Sequence, residues 1–181
     1  IPRSIYQKIL SIGVPVAGEN LAYNISQIVI TAMITTLGTW AMSAHVYTQT
    51  IVRFVFVAAS AIGSAVQIKV GYFVGAQQPE QAYKRVYRYQ LAGTSFSIFM
   101  ILLLNLVKAP IIGIFTQNPE IAALTYAILY VSIYVETGRS INLITIPALK
   151  GAGDVHFPVL VGILCMWGIS VPLGWFLGLR L

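Results

Sequence analysis

The chain has 181 residues, of which 57 % are hydrophobic and only 9 % charged. A soluble domain dresses its surface with about a quarter charged residues. This composition, with a mean hydropathy of +0.81, therefore excludes an ordinary water-soluble globule and makes lipid the main solvent. The formal net charge of +6 then reads as the basic bias of cytoplasmic loops rather than as a nucleic-acid surface, and no nucleic-acid partner is expected.

At roughly 20 apolar residues per crossing, the length suits about five or six spans of an all-α, polytopic transmembrane bundle, and the pattern along the chain gives five. The first expected span covers about 11–37 and stops at Gly38; the second covers about 41–74 and stops at Gly75. The second exceeds what a bilayer needs and should tilt or project. Pro79-Glu80 restarts a helix, basic at Lys84, Arg85 and Arg88, that becomes a third span over about 86–107. Lys108 and Pro110 break it, and the short apolar stretch from Pro110 to Phe115 reads as an interfacial turn. Asn118-Pro119-Glu120 is a helix start with cap, proline and acid in order. It opens a fourth span over about 121–149, and after a loop from Gly151 to Pro158 a fifth covers about 159–179.

Lysine and arginine set the orientation. With the N-terminus inside, Arg3, Lys8, Lys69, Lys84, Arg85, Arg88 and Lys150 fall on the inner side, against Lys108 and Arg180 outside. An integral protein of the cell membrane with a cytoplasmic N-terminus is expected. The chain opens Ile1-Pro2-Arg3 without an initiator Met or a signal-peptide cleavage pattern, so a fragment, cut there and at Leu181, is expected. The lone Cys165 excludes a disulfide framework and is expected to be a buried, inert thiol.

The informative residues are polar ones inside the spans, because a charge at mid-bilayer costs about 2.5 kcal/mol or more. In the first span Glu19, Asn20, Tyr23, Asn24, Ser26 and Gln27 share roughly 160° of the helix circumference. Leu21, Ile25, Ile28 and Ala32 lie opposite. In the second span Gln49, Arg53, Ser60, Ser64, Gln67 and Gly71 fall within roughly 60°, the pattern of a polar passage wall. The fourth span sets Thr125, Ser132, Glu136 and Arg139 on another narrow arc, flanked by Asn142. Glu136 and Arg139, three apart, can pair. The candidate substrate- and ion-binding residues are therefore Glu19, Asn24, Gln27, Arg53, Glu136 and Arg139. Each also has a plainer reading: a static ion pair for Glu136–Arg139, interhelical hydrogen bonds for Asn24 and Gln27, and structural roles for Arg53 and Gln67.

Tyr126, Tyr130 and Tyr134 form a stripe that reads as packing or interface belt, or as an aromatic wall for organic cations. His45 and His156 sit singly near span ends. Gly174 and Gly178 form a Gly-x-x-x-Gly packing signal. There is no phosphate-binding loop, no zinc spacing and no nucleophile–base set, so neither an enzyme nor a bound cofactor is expected.

Three segments carry a family resemblance. Ile12-Gly13-Val14-Pro15-Val16-Ala17-Gly18-Glu19-Asn20-Leu21 opens a span. Gln67-Ile68-Lys69-Val70-Gly71-Tyr72-Phe73-Val74-Gly75-Ala76 closes the next and precedes a basic helix. Ala148-Leu149-Lys150-Gly151-Ala152-Gly153-Asp154-Val155-His156-Phe157-Pro158 follows the fourth. In this order and spacing the chain resembles the multidrug and toxic compound extrusion (MATE) family, and the C-terminal half of its members most. The resemblance implies a twelve-helix fold of two six-helix halves, with this chain as spans seven to eleven and an N-terminal half as its partner. It also implies an antiporter that exports small organic cations across the bilayer in exchange for Na⁺ or H⁺. The sequence departs from the family where acids are common. About two turns after Pro15 stand Tyr23 and Asn24, with Glu19 one turn earlier. Near the second such place stands Arg139, with Glu136 one turn before. The coupling carboxylates therefore cannot be copied across.

Under this reading Glu19 and Glu136 alternate between bound and free ion, Arg139 tunes Glu136, and Asn24 and Gln27 make uncharged contacts. Gln49 and Arg53 would gate the outer end while one half rocks against the other. Two alternatives stand beside it. A flippase for a lipid-linked sugar or other anionic amphiphile would use Arg53 and Arg139. A non-transporting membrane scaffold would bury Glu136–Arg139 as a pair and need no ion.

Overall fold

The computed structural model describes residues 3–179; Arg180, assigned above to the outer side, lies outside the described residues. Among the described residues the chain is helical, without strands: α1 (Arg3–Thr36), α2 (Thr39–Gly75), α3 (Pro79–Leu106), α4 (Lys108–Phe115), α5 (Pro119–Gly151), α6 (His156–Cys165) and α7 (Val171–Leu179), with a π-helical turn, Met166–Ser170, joining the last two. Among the described residues four stretches are long and apolar enough to cross a membrane: α2, α3, α5 and His156–Gly178. The 34 residues of α1 reach about 51 Å, but Glu19, Asn20, Asn24 and Gln27 in its middle hold its hydropathy below that of the others.

The chain divides into two compact units, one formed by residues 1–38 with 154–181 and the other by 39–153. The last residue of each segment before the change of unit is a left-handed glycine, Gly38 at φ +103° and Gly153 at φ +96°, a conformation that a side chain disfavours.

In the larger unit α2 and α5 run parallel and α3 antiparallel to both. The direction follows from the contacts: Gly63 faces Leu143 and Gln67 faces Gly151, while Gly93 faces Ile144 and Asn105 reaches Leu129. Gly63 is where the two parallel backbones touch. A Cβ there would strike the Leu143 carbonyl oxygen, and one at Gly151 would strike the Gln67 carbonyl. Small residues at such seams let helices approach in a membrane, where lipid is as apolar as leucine and burial of side chains adds little drive.

Two apolar clusters fill this unit. Ile51, Val52, Val55, Ile101, Ile112 and Leu129 form one, and Val66, Val70, Ile144 and Ala148 the other. Along α5 the residues between them are polar: Ser132, Glu136 and Ser140, all buried. Their hydroxyls are satisfied within the helix, Ser132 Oγ donating to the Ile128 carbonyl at 2.9 Å and Ser140 Oγ to the Thr137 carbonyl at 2.9 Å. Helix α3 is tied to α5 by Thr145 Oγ1, which donates to Gln90 Oε1 at 2.9 Å, and by Asn105 Nδ2, which donates to the Leu129 carbonyl at 3.2 Å.

Two expectations are corrected. Residues 110–115, expected as an interfacial turn, belong to helix α4, which begins at Lys108. Pro110 falls in its first turn, where a missing N–H costs nothing. Ile112 is 1 % exposed within the first cluster, and the Phe115 ring lies 5.4 Å from that of Tyr47. Cys165, expected to be buried, is exposed, because the span that carries it presents nearly its whole apolar surface outward.

In the smaller unit α1 packs on α6, the π turn and α7. The π turn precedes Pro172, which cannot donate to the Gly168 carbonyl. The ladder widens instead, and Val171 N–H bonds to the Met166 carbonyl.

Candidate functional site

The six candidate residues fall into two groups, one in each unit. Glu19, Asn24 and Gln27 belong to α1 in the smaller unit; Arg53, Glu136 and Arg139 belong to the larger.

On α1 the amides of Asn20 and Asn24 bend back on their own helix. Asn20 Nδ2 donates to the Val16 carbonyl at 3.0 Å and Asn24 Nδ2 to the Asn20 carbonyl at 2.8 Å. Asn24 and Gln27 are exposed, and Glu19 is half-buried. The Glu19 carboxylate leans toward α6 at Gly162, where a Cβ would come within 3.6 Å of its Oε1. This neighbour was not legible from the sequence, because the two residues lie far apart along the chain. Ser26 is the one fully buried member of the stripe and donates to the Tyr23 carbonyl at 3.0 Å.

The polar stripe of α2 flanks its packing face, and at the Gln67–Gly71 end its backbone meets Gly151 of α5. Ala44, Thr48, Val55, Ala59, Gly63 and Val66 face the bundle, while Gln49, Arg53, Ser64, Gln67 and Gly71 are exposed and Ser60 is half-buried. The stripe of α5 does the opposite. Thr125, Ser132 and Glu136 point inward.

Glu136 Oε1 accepts a hydrogen bond from an Arg139 Nη at 2.7 Å, the carboxylate side chain being 3 % exposed and the arginine 32 %. The structure thus brings these two together as expected from their spacing and buries the acid. Arg53 remains separate, on the exposed face of α2. Tyr130 and Tyr134 meet edge to face at 6.5 Å, both exposed. Tyr126 already has a cation over its ring, Lys108 Nζ at 5.5 Å. That contact was missed because Lys108 belongs to another helix. Among the described residues no three His, Cys, Asp or Glu side chains gather as a metal site.

The family model called MatE matches residues 15–176. The chain belongs to the MatE family. It is 37 % identical over 175 residues to the "Uncharacterized transporter YisQ" of Bacillus subtilis, a match covering 97 % of this chain and 38 % of that protein. It is 25 % identical over 177 residues to the "Probable multidrug resistance protein NorM" of Halalkalibacterium halodurans, covering 95 % of this chain and 38 % of the relative. It is 26 % identical over 173 residues to the "Multidrug resistance protein NorM" of Vibrio vulnificus, with the same coverage of 95 % and 38 %. The chain thus spans about two-fifths of the length of the curated relatives it matches. No solved structure matches it.

Proposed function

We propose that this MatE chain forms part of a secondary active exporter of organic cations, which exchanges its cargo for Na⁺ or H⁺ by alternating access. The observation that carries the pathway in this reading is the exposed polar stripe of α2, with Gln49, Ser64 and Gln67 on a helix otherwise apolar enough to span a bilayer. Such residues are costly against lipid and ordinarily line a pathway. The names of the multidrug resistance relatives agree with it. No enzymatic step is needed.

In this scheme α1 is a fifth crossing with a polar stripe of its own. A further half-bundle of the same protein supplies the opposite wall, and the five spans correspond to seven to eleven of the whole. Glu19 takes the coupling role, because it is half-buried beside a glycine on a neighbouring helix. Glu136 serves as a fixed partner of Arg139, since its pair is closed and buried. Asn24 and Gln27 offer uncharged contacts to the cargo. The protein sits in the cell membrane with Arg3 inside. Charge supports this orientation: Lys69, Lys84, Arg85, Arg88 and Lys150 stand at one end of the larger unit with Glu80, whereas the other end carries Lys108 and Glu120.

The test is dye efflux from cells expressing the full-length protein, with Glu19→Gln and Glu136→Gln at matched membrane abundance. Na⁺ and the proton gradient are removed in turn. Loss of efflux in Glu19→Gln, with dependence on one ion, supports the assignment and names the ion. Full efflux in Glu19→Gln moves coupling elsewhere in the protein. A second reading, a flippase for an anionic amphiphile, is favoured by the exposed Arg53 alone. It predicts no dye efflux, and transport of a lipid-linked anion that Arg53→Gln abolishes.

A further inference from the structure

The first turns of α3 carry a surface that the transport reading does not use. Tyr83 and Tyr87 are one helical turn apart, and so are Lys84 and Arg88, which makes two adjacent columns on one exposed face. Between them lies a shallow groove of about 400 Å³ lined by these four residues. Tyr83 is 78 % and Tyr87 68 % exposed. A second, smaller groove of about 170 Å³ shares Lys84 and Arg88 and adds Arg85 and Gln81.

Its position relative to the bilayer follows from length. The 28 residues of α3 reach about 42 Å, against a hydrocarbon core of about 30 Å. The stretch from Tyr89 to Leu106 contains no charged residue and fills that core. Tyr83 through Arg88 then stand at headgroup level. Tyrosine rings suit that boundary, with the apolar body toward the chains and the hydroxyl toward water. The cations beside them exceed the acids. Glu80 holds Lys84 at 2.7 Å in a pair whose side chains are 70 % and 82 % exposed, a contact that water screens and an incoming anion can replace. Arg85 is turned to the Phe73 ring, 5.6 Å from its centroid. Arg88 is exposed beside them and lines both grooves.

We propose that this groove is a binding site for the phosphate headgroup of an anionic phospholipid. Arg88 and Lys84 hold the phosphate, and the hydroxyls of Tyr83 and Tyr87 face the headgroup while their rings rest on the glycerol and upper acyl chain. A lipid is the occupant rather than a soluble anion because the tyrosines give the groove an apolar side at the edge of the hydrocarbon. The site does not depend on what the protein transports.

The full-length protein is purified from nanodiscs of phosphatidylcholine mixed with phosphatidylglycerol, and retained lipids are counted by native mass spectrometry. Phosphatidylglycerol is retained preferentially by the unsubstituted protein. Each cation near an anionic surface contributes about fivefold, so Lys84→Gln with Arg88→Gln lowers that retention on the order of 25-fold. Lys84→Arg with Arg88→Lys keeps it within a few-fold. Tyr83→Ala with Tyr87→Ala weakens retention with the cations intact. Equal retention of the two lipids, or no loss in the double glutamine variant, overturns the proposal. Displacement of phosphatidylglycerol by millimolar inorganic phosphate overturns the lipid assignment and leaves a site for a soluble anion. All four side chains are on the outer face of α3 and none fills the core, so the variants fold.

Discussion

Gly63 of α2 lies directly against the backbone carbonyl of Leu143 in α5. Pro147, one turn further along α5, has no N–H to give that carbonyl. An oxygen released from its helix ladder is thus met by the one residue type that lets another backbone approach it, and a Cα–H contact of this kind contributes about 0.5–1 kcal/mol.

Gly63→Ala puts a methyl into that carbonyl, and a helix backbone cannot yield as a side chain tip can. The expected loss is about 1–3 kcal/mol, seen as a lower Tm of the detergent-solubilised full-length protein. Gly138→Ala is the control. It has open space on the same helix α5, so alanine should stabilise by about 0.5–1 kcal/mol. Equal Tm values for the two variants would mean that α2 and α5 are not in contact at Gly63.

Glu136→Ala removes the partner of Arg139 and leaves a cation at the edge of an apolar bundle. Breaking a buried pair costs about 3–5 kcal/mol, and replacing both members with apolar residues costs far less. Arg139 is 32 % exposed, which places the single substitution near the lower bound. Glu136→Met with Arg139→Met should therefore be more stable than either single variant, in a double-mutant cycle read by thermal unfolding. Additive losses would show that the two charges act independently.

Asn118 caps α5, its Oδ1 accepting from the backbone N–H of Glu120 at 3.0 Å and of Ile121 at 3.4 Å. Asn118→Ala leaves both donors without it and should cost about 1 kcal/mol, whereas Asn118→Ser keeps most of the cap. Thermal unfolding of the pair separates loss of the cap from loss of the amide as such. A serine variant as weak as the alanine variant would speak against capping.

Asn105 offers a contrast. Its Nδ2 bridges the Ile101 and Leu129 carbonyls at 3.1 and 3.2 Å, but its buried Oδ1 has no partner. An interhelical bond of this kind is worth about 0.6 kcal/mol in a membrane protein. The orphaned oxygen offsets much of it. Asn105→Leu should change stability by less than about 1 kcal/mol, less than Gly63→Ala. A larger loss would indicate that Oδ1 is satisfied in the membrane by a water or another donor.

Some of this was legible before any coordinates. Asn118-Pro119-Glu120 announced the start of α5, and the observed Pro119–Gly151 lies close to the expected span. The second expected span likewise lies inside Thr39–Gly75. The pairing of Glu136 with Arg139 followed from their spacing. Helix α4 was not legible, because eight residues are too few to stand as a helix alone; it forms where Ile112 enters the core and Phe115 meets Tyr47. Nor was the place of Gly162 beside Glu19, or of Lys108 over Tyr126, since each joins residues from different helices.

The sequence by itself determined that the chain is a set of long, largely apolar helices, where α5 starts, and which polar residues share a face, because helix periodicity, capping and the cost of charge in lipid are local properties. Only the tertiary structure decided which of those faces turn inward. The stripe of α5 became the interior of its unit and the stripe of α2 its outside. Hydropathy could not distinguish them, since lipid and a bundle interior are equally apolar; the choice rests on where small residues such as Ala44, Ala59 and Gly63 let backbones close on one another.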